Sequence, residues 1–405
     1  MNAQRPDAVD LSGYITLVVC LALSTFTIHG ANLLALAGIF WLILAFRERR
    51  FDVPAFFWPL VALAAWTLIS CAFSMDPLNS VTRSRQLLLI LIVPGAMRLL
   101  RGDRAMTTLN VIIAFGAASA LVGIVQYAAL GYDDMSHRPK GTLGHYMTYS
   151  GLLMLVACSA VARLIFYERQ WIWPAIAVPS LMVATLLTNS RNAWVGSAAA
   201  ISTLMAVRKV KLLLFVPVLA VLFYFAAPAG VQNRMFSIFD LNDATNRDRV
   251  AMFESGINMV KDRPLFGVGL NNVPDEYPRY RTAGAVDPAG TVGIATRAHL
   301  HNVPLQLAAE RGIPAVLIWL WFVAVAGRDL IRQLVRGPSK ALAGAGLAAV
   351  VGMVVAGMFE HNFGDSEFLM LFLGIITLPF AALGGPKGPP YVQNVGRTFR
   401  SGEPQ

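Results

Sequence analysis

Two kinds of side chain in this sequence could do chemistry: histidines able to take a proton near neutral pH, and arginines able to hold a phosphate. The first kind centres on residues 297–312, Arg297-Ala-His299-Leu-His301-Asn302-Val-Pro304-Leu-Gln306-Leu-Ala-Ala-Glu310-Arg311-Gly312. An imidazole titrates near pH 6.5, which makes His301 and His299 natural general bases, although a lone histidine near a membrane surface is often structural. As two ligands of one metal at i, i+2 they would need an extended backbone and further partners. No HExxH, calcium loop or aspartate pair stands beside them, so no metal is expected. Glu310 falls among apolar residues and must find a partner, and both a structural ion pair with another helix and a catalytic role are open. Its neighbour Arg311 should diverge from it, because adjacent side chains do not face each other on a helix.

The arginines lie elsewhere. Thr188-Asn-Ser-Arg191-Asn-Ala-Trp194 interrupts an otherwise apolar run; a snorkelling contact with lipid phosphate is the simple reading, but polar neighbours on both sides favour a functional one. Arg247 and Arg249 open an amphipathic segment, where positive charge opposes the helix dipole unless an anion is near. For Arg247 a solvated charge beside Asp243 and Asp248 is an equal reading. A last polar cluster, Glu360-His361-Asn362-Phe-Gly-Asp365-Ser-Glu367, reads equally as a solvated turn or as part of a site, with His361 and Asp365 as candidates.

These residues must be positioned by membrane helices. Of 405 residues 56% are hydrophobic and 14% charged, far below the roughly 25% charged of soluble domains, and mean hydropathy is +0.58. A helix needs about 20 apolar residues to cross the hydrocarbon core. By that measure the chain is an all-α polytopic membrane protein with about twelve spans, at residues 14–28, 31–46, 54–73, 86–100, 107–130, 146–166, 171–189, 193–207, 212–227, 303–327, 341–359 and 368–383. The start lacks the basic region of a secretory signal, so the first span is expected to be retained. Cys20, Cys71 and Cys158 all sit in apolar runs without disulfide or zinc spacing. The net charge of +10 suits anionic headgroups or a phosphate-bearing substrate better than nucleic acid.

Basic clusters at alternate connections, such as Arg47, Arg49 and Arg50 or Arg208, Lys209 and Lys211, place those ends and both termini in the cytoplasm. The other loops then face outward. The division expected is 1–227 with spans one to nine, 228–302 as a large helical periplasmic loop between helices 9 and 10, 303–384 with spans ten to twelve, and 385–405 as a cytoplasmic tail. The outward segment is too long for a passive connector. Within it Val250, Phe253, Ile257 and Val260 recur at helical spacing, which predicts an amphipathic helix able to lie along the membrane. Turn residues from Asp262 to Gly269 close it, and a Gly-rich run over 282–295 is expected to form a mobile flap.

Three of these stretches match a known pattern. His301-Asn302, Leu305-Gln306, Glu310 and Gly312 resemble the central motif of the O-antigen ligase and polymerase family. Ser190-Arg191-Asn-Ala-Trp194-Val-Gly196 is similar to that family's Ser-Arg-Gly-x-Trp-x-Gly stretch, with Asn192 in place of glycine, and Arg249 followed by Asp262-Arg-Pro-Leu-Phe-Gly-Val-Gly269 is similar to its third segment. The resemblance implies a bacterial inner-membrane glycosyltransferase that moves O-antigen polysaccharide from undecaprenyl pyrophosphate to the lipid A core oligosaccharide on the periplasmic face. His301 would be the base, Arg191 and Arg249 would hold the pyrophosphate, and Arg247, Arg297, His299, Asn302, Gln306, Glu310, His361 and Asp365 would contact substrate. No nucleotide, metal or other cofactor is implied, because the donor carries its own leaving group; a monomer embedded in membrane lipids is expected. A glycan polymerase or a pilin O-oligosaccharyltransferase of the same family is the alternative, and residues 279–290 fit the Arg-x10-Gly pattern of polymerases only as one chance match would. A transporter also fits twelve helices, but the halves do not match and the polar residues gather at one surface.

Overall fold

The computed structural model describes residues 7–27, 30–48, 52–134, 137–166, 172–237, 240, 243–282 and 299–384. Arg297, most of the Gly-rich run and the C-terminal tail lie outside them. The described residues form helices and no strand. In chain order these are α1 (Ala8–Leu23), α2 (Gly30–Glu48), α3 (Phe57–Ala72), α4 (Pro77–Arg83), α5 (Ile92–Leu99), α6 (Asp103–Leu130), α7 (Tyr146–Ile165), α8 (Ile172–Leu187), α9 (Arg191–Arg208) and α10 (Phe215–Ala226). Three polar helices follow, α11 (Ala229–Phe236), α12 (Ala244–Asp262) and α13 (Val273–Tyr280), then α14 (Val303–Arg311), α15 (Ile313–Arg336), α16 (Lys340–Gly357) and α17 (Ser366–Ala381).

Among the described residues four helices, α6, α7, α15 and α16, are long and apolar enough to cross a membrane, and five shorter apolar stretches accompany them. Helices α7 and α16 run through the centre and are buried along most of their length. Small residues make that possible: the Ala-Leu-Ala-Gly-Ala-Gly-Leu-Ala-Ala run of α16 lets backbones approach closely. At Gly196 of α9 an added Cβ would lie 2.5 Å from the Met154 sulfur of α7 and 3.1 Å from the Gly352 carbonyl of α16. That contact seats α9 and so fixes Arg191, five residues earlier. By contrast, α6 and α15 keep apolar side chains such as Leu121, Val125, Leu317 and Trp321 exposed, as lipid-facing helices do.

Two expected helices differ. The run at 86–100 is a 3-10 stretch over Ser84–Leu91 followed by the short α5. The run at 303–327 is broken at Gly312, whose φ of +80° is left-handed, into α14 and α15, and α15 continues to Arg336. Ion pairs from Asp329 to Arg328 and Arg332, at 2.8 and 3.6 Å, keep those basic turns helical beyond the predicted end. Prolines enter both α14 and α15 in the first turn, where the missing N–H has no helical partner to lose.

The break is filled by the Asp262–Gly269 turn. A helix end leaves carbonyls without partners, and here Val268 N donates to Ala309 O at 2.8 Å, Gly269 N to Glu310 O at 3.0 Å, and Ile313 N to Pro264 O at 2.8 Å. From α3, Trp66 Nε1 donates to Arg311 O at 2.8 Å and Ser70 Oγ to Phe266 O at 2.9 Å. Phe266 itself stacks on Trp66 and Phe73, at 5.5 and 4.2 Å between ring centres. The turn thus joins α12 to α14, α15 and α3 at one point.

The predicted amphipathic helix exists as α12, and the apolar stripe read in the sequence divides between a packed and an exposed side. Ala251, Met252, Ser255 and Met259 are buried, Ile257 and Val260 partly so, while Val250 and Phe253 are exposed. The packed side meets Leu300 and Leu305 in a small core of its own, and Gly256 allows it: a Cβ there would stand 2.7 Å from Leu305 and 2.8 Å from Leu300. Val250 and Phe253 remain free to meet a membrane surface.

A Cβ on Gly312 would fall 1.9 Å from the Leu265 carbonyl. Gly312→Ala is therefore expected to destabilise the protein by at least about 2 kcal/mol, through left-handed strain and displacement of the turn. The thermal midpoint in detergent, followed by tryptophan fluorescence, checks this; an unchanged midpoint refutes it.

Candidate functional site

Arg191 begins α9 two residues after Asn189, whose φ of +54° turns the chain sharply. Its buried guanidinium reaches across to the segment before α12, donating to Ser237 O at 2.7 Å, Ser237 Oγ at 3.1 Å and Asn246 Oδ1 at 2.7 Å, with Asp243 at 3.7 Å. Asp243 also caps α12 by accepting from Thr245 N and Asn246 N, and lies 3.6 Å from Arg234. Around this point Arg138, Arg191, Arg234 and Arg249 are close enough to perturb one another. Burial first, and then the charges of Arg138 and Arg249, press the Arg234 guanidinium below its ordinary value against the pull of Asp243. Arg138 is lowered by burial and by Arg249, while its guanidinium sits 4.3 Å above the Tyr146 ring. Guanidinium groups stay charged at neutral pH, so this crowding stores repulsion that a polyanion would relieve.

The second cluster forms where the chain enters α14. His301 has a left-handed φ of +49°, uncommon for a residue other than glycine and held here from both sides. Before it, Leu300 N donates to Gln306 Oε1 at 2.7 Å; after it, Asn302 caps α14 through Leu305 N and donates to Met358 O at 3.0 Å. The ring's Nδ1 then lies 2.8 Å from Glu360 Oε2, on a residue 59 positions further along. His299 Nε2 lies 3.5 Å from the other oxygen, Glu360 Oε1. Burial would push the Glu360 carboxyl up, but His301 and His299 outweigh it and hold it at about 2. Burial, aided by His301 and His145, takes His299 down to about 4. Burial, with His299 and Arg311, takes His361 down to about 3.

The protonation pattern follows. A carboxylate only accepts, so His301 Nδ1–H donates to Glu360 and Nε2 carries the lone pair. Among the described residues Nε2 has no hydrogen-bond partner. That is the arrangement of a general base whose other nitrogen is fixed by an acid. Its neighbours His299 and Glu360 line a cavity of about 180 Å³ together with His145, Thr148, His361 and Asp365, among others.

The two clusters meet at the start of α7. Tyr146 lies under Arg138 and stacks on His145 at 5.0 Å, and His145 lines the cavity beside His299. On the far side of Arg191, an apolar pocket of about 380 Å³ opens among α8, α9, α10 and α11, lined by Trp194, Met205, Phe223 and Met235 with others.

The expected residues divide accordingly. Arg191 and Arg249 fall in the arginine cluster, whereas Arg247 is exposed on α12. Asn302, Gln306 and Glu310 direct their side chains to protein partners: Glu310 Oε1 accepts from Gln306 Nε2 and Asn271 N, both at 2.9 Å. Glu310 and Arg311 were expected to diverge, yet Arg311 lies 3.5 Å from Glu310 Oε2, because both are buried and confined at the end of α14. Asp365 caps α17 through Glu367 N and Phe368 N and accepts from Thr148 Oγ1. Arg297 is outside the described residues. Arg138, Arg234 and Glu360 were not among the candidates. Glu360 stood in a cluster that had been noticed; nothing in the local pattern pointed to the two arginines. The sequence offered no third metal ligand beside His299 and His301, but the fold brings Glu360 to them.

Residues 175–320, from α8 into α15, match the model of a family described as O-antigen ligase, so the chain carries a domain of that family. The matched region contains Arg191, Arg234, Arg249 and His301, and leaves Arg138 and Glu360 outside. Two proteins, each named "Putative polysaccharide ligase", are similar at 21% identity. That of Rickettsia bellii (strain RML369-C) aligns over 338 residues, 78% of this chain and 79% of its own length. That of Rickettsia felis (strain ATCC VR-1525) aligns over 323 residues, 78% and 77%.

If the arginine cluster receives a polyanion, Arg234→Ala should weaken binding of inorganic pyrophosphate to the detergent-solubilised protein about tenfold, the effect of one charged hydrogen bond. Calorimetric titration checks this, and equal affinity in the variant and the parent refutes it.

Proposed function

We propose that this protein is an O-antigen ligase of the bacterial inner membrane, which transfers O-antigen polysaccharide from undecaprenyl pyrophosphate to the lipid A core oligosaccharide at the periplasmic face. The observation that carries the reading is the pairing of a crowded arginine cluster with a carboxylate-held histidine, on either side of Tyr146 and His145. The match of residues 175–320 to the O-antigen ligase family and the two relatives support it. In this reading the chain crosses the membrane twelve times and residues 228–302 lie outside.

The acceptor hydroxyl approaches His301 Nε2, which takes its proton as the oxygen attacks the anomeric carbon. The bond from that carbon to the phosphate oxygen breaks, and the electron pair leaves with undecaprenyl pyrophosphate. Arg191 and Arg249, with Arg138 and Arg234, bind the charge that builds on the leaving group. Glu360 stabilises the imidazolium formed at His301, as an acid beside a base does. The apolar pocket at Trp194 and Phe223 suits the first part of a lipid tail, and the polar cavity at Thr148 and Asp365 suits acceptor hydroxyls. A single displacement inverts the anomeric centre. The reaction draws on an already activated donor and so asks for no nucleotide or metal.

His301→Ala should abolish transfer of O-antigen to lipid A core while the protein remains folded in the membrane; normal ligation by that variant would remove the base assignment. Glu360→Gln keeps the shape and loses the charge, and should slow transfer about a hundredfold. On a lipopolysaccharide gel a deletion strain should show bare core and glycan accumulating on its carrier. A core bearing one repeat would identify a polymerase instead.

A further inference from the structure

We propose that His299, His301 and Glu360 form a binding site for a divalent transition-metal ion of the zinc type, and that the ion, once bound, switches off the base. The ligand atoms of the three side chains, one from each, lie within 4.8 Å of one another. Donor atoms around a tetrahedral ion with bonds of about 2.0–2.1 Å are roughly 3.3 Å apart; here the two carboxylate oxygens of Glu360 each face one ring, Oε2 at 2.8 Å from His301 Nδ1 and Oε1 at 3.5 Å from His299 Nε2, separations that lie on either side of that value. Two imidazoles and one carboxylate with room for a fourth, non-protein ligand are a recurrent zinc set. The carboxylate is buried, so it exchanges less freely with solvent than a surface acid. The adjoining cavity gives an incoming ion and its water a route.

The consequence for His301 follows from proton positions alone. Without metal, the ring's one proton is on Nδ1, facing Glu360, and Nε2 is free to accept. A metal ion bound at Nδ1 leaves no place there for the proton, which moves to Nε2. No proton is gained or lost by the ring, yet the nitrogen proposed to take the acceptor's proton becomes a donor. At His299 the same exchange moves the proton from Nε2 to Nδ1 and ends the weak 3.4 Å contact from His301 N. Binding thus holds both rings in the tautomer opposite to the one Glu360 selects.

The inhibitory half of the proposal rests on the transferase reading; the binding half does not. The test uses the full-length protein in detergent, stripped with a chelator and titrated with Zn2+ and with Co2+. One ion per chain is expected, with the visible absorption of four-coordinate Co2+ displaced by Zn2+. His299→Ala and Glu360→Gln should each weaken Zn2+ binding by more than the roughly 10- to 100-fold that loss of an outer partner costs. Glu254→Gln, which alters an exposed acid of α12 outside the set, should bind as the parent does. Absence of binding, a six-coordinate Co2+ spectrum, or affinity unchanged in both ligand variants overturns the site. The Co2+ spectrum of the unaltered protein decides even where a variant fails to fold. Zinc should also stop glycan transfer at the concentrations at which it binds, reversibly on adding chelator; full transfer by the zinc-loaded protein overturns the switch. A protein that binds zinc but never transfers glycan removes the transferase reading and leaves the metal site standing.

Discussion

The carbonyls left over at the end of α14 set the geometry of the region from α12 to α15. A helix that stops inside a protein must have those groups satisfied, and Gly312 stops α14 where water cannot do it. The backbone of residues 264–269 supplies the missing donors, from Val268 to Ala309 and from Gly269 to Glu310. That turn closes α12, so the bonds that complete α14 also fix the direction from which α12 arrives. Arg249 is on α12 and His301 is one residue before the cap of α14. Their relative placement therefore rests on main-chain hydrogen bonds and on the Gly256 contact with Leu300 and Leu305, with no flexible surface pairing between them.

The same logic gives much of the histidine motif partners within the protein. A left-handed backbone at His301 costs on the order of 1–3 kcal/mol, and it persists because Leu300 and Asn302 are each tied down. Gln306 links Leu300 to Glu310, and Glu310 in turn accepts from Asn271, itself left-handed at φ +62°. The buried polar residues between positions 302 and 310 form a chain of hydrogen bonds that ends at the Gly267–Gly269 turn. In a motif composed of His, Asn, Gln, Glu and Gly, the amides and the carboxylate thus hold the backbone on either side of His301.

Legibility in the sequence followed the range of the interaction. Apolar runs revealed an all-helical chain, because a helix satisfies its own backbone locally. Arg191 and His301 stood out because polar residues interrupted apolar ones. The break at Gly312 was hidden in a run that stays apolar on both sides, and only the approach of the Leu265 carbonyl, from 47 positions earlier, makes glycine necessary there. Glu360 was visible as an acid in a polar loop but not as the partner of a histidine 59 residues before it. The side of α12 that packs was not legible because its partners, Leu300 and Leu305, come from a distant segment whose position the spacing of Val250 and Phe253 does not contain.

Electrostatics ties the two clusters into one design. Arg138 connects to the arginine group by repulsion and to Tyr146 by the attraction of a cation for a ring face. Tyr146 stacks on His145, and His145 is one of the charges that disfavour protonation of His299. Burial first, and then the neighbouring histidines, discourage a charged imidazole at His299. His299 and His361, taken chiefly by burial to about 4 and 3, stay neutral beside His301. That neutrality keeps their nitrogen lone pairs available, so the burial that disfavours a charge on His299 leaves that ring able to bind a metal ion.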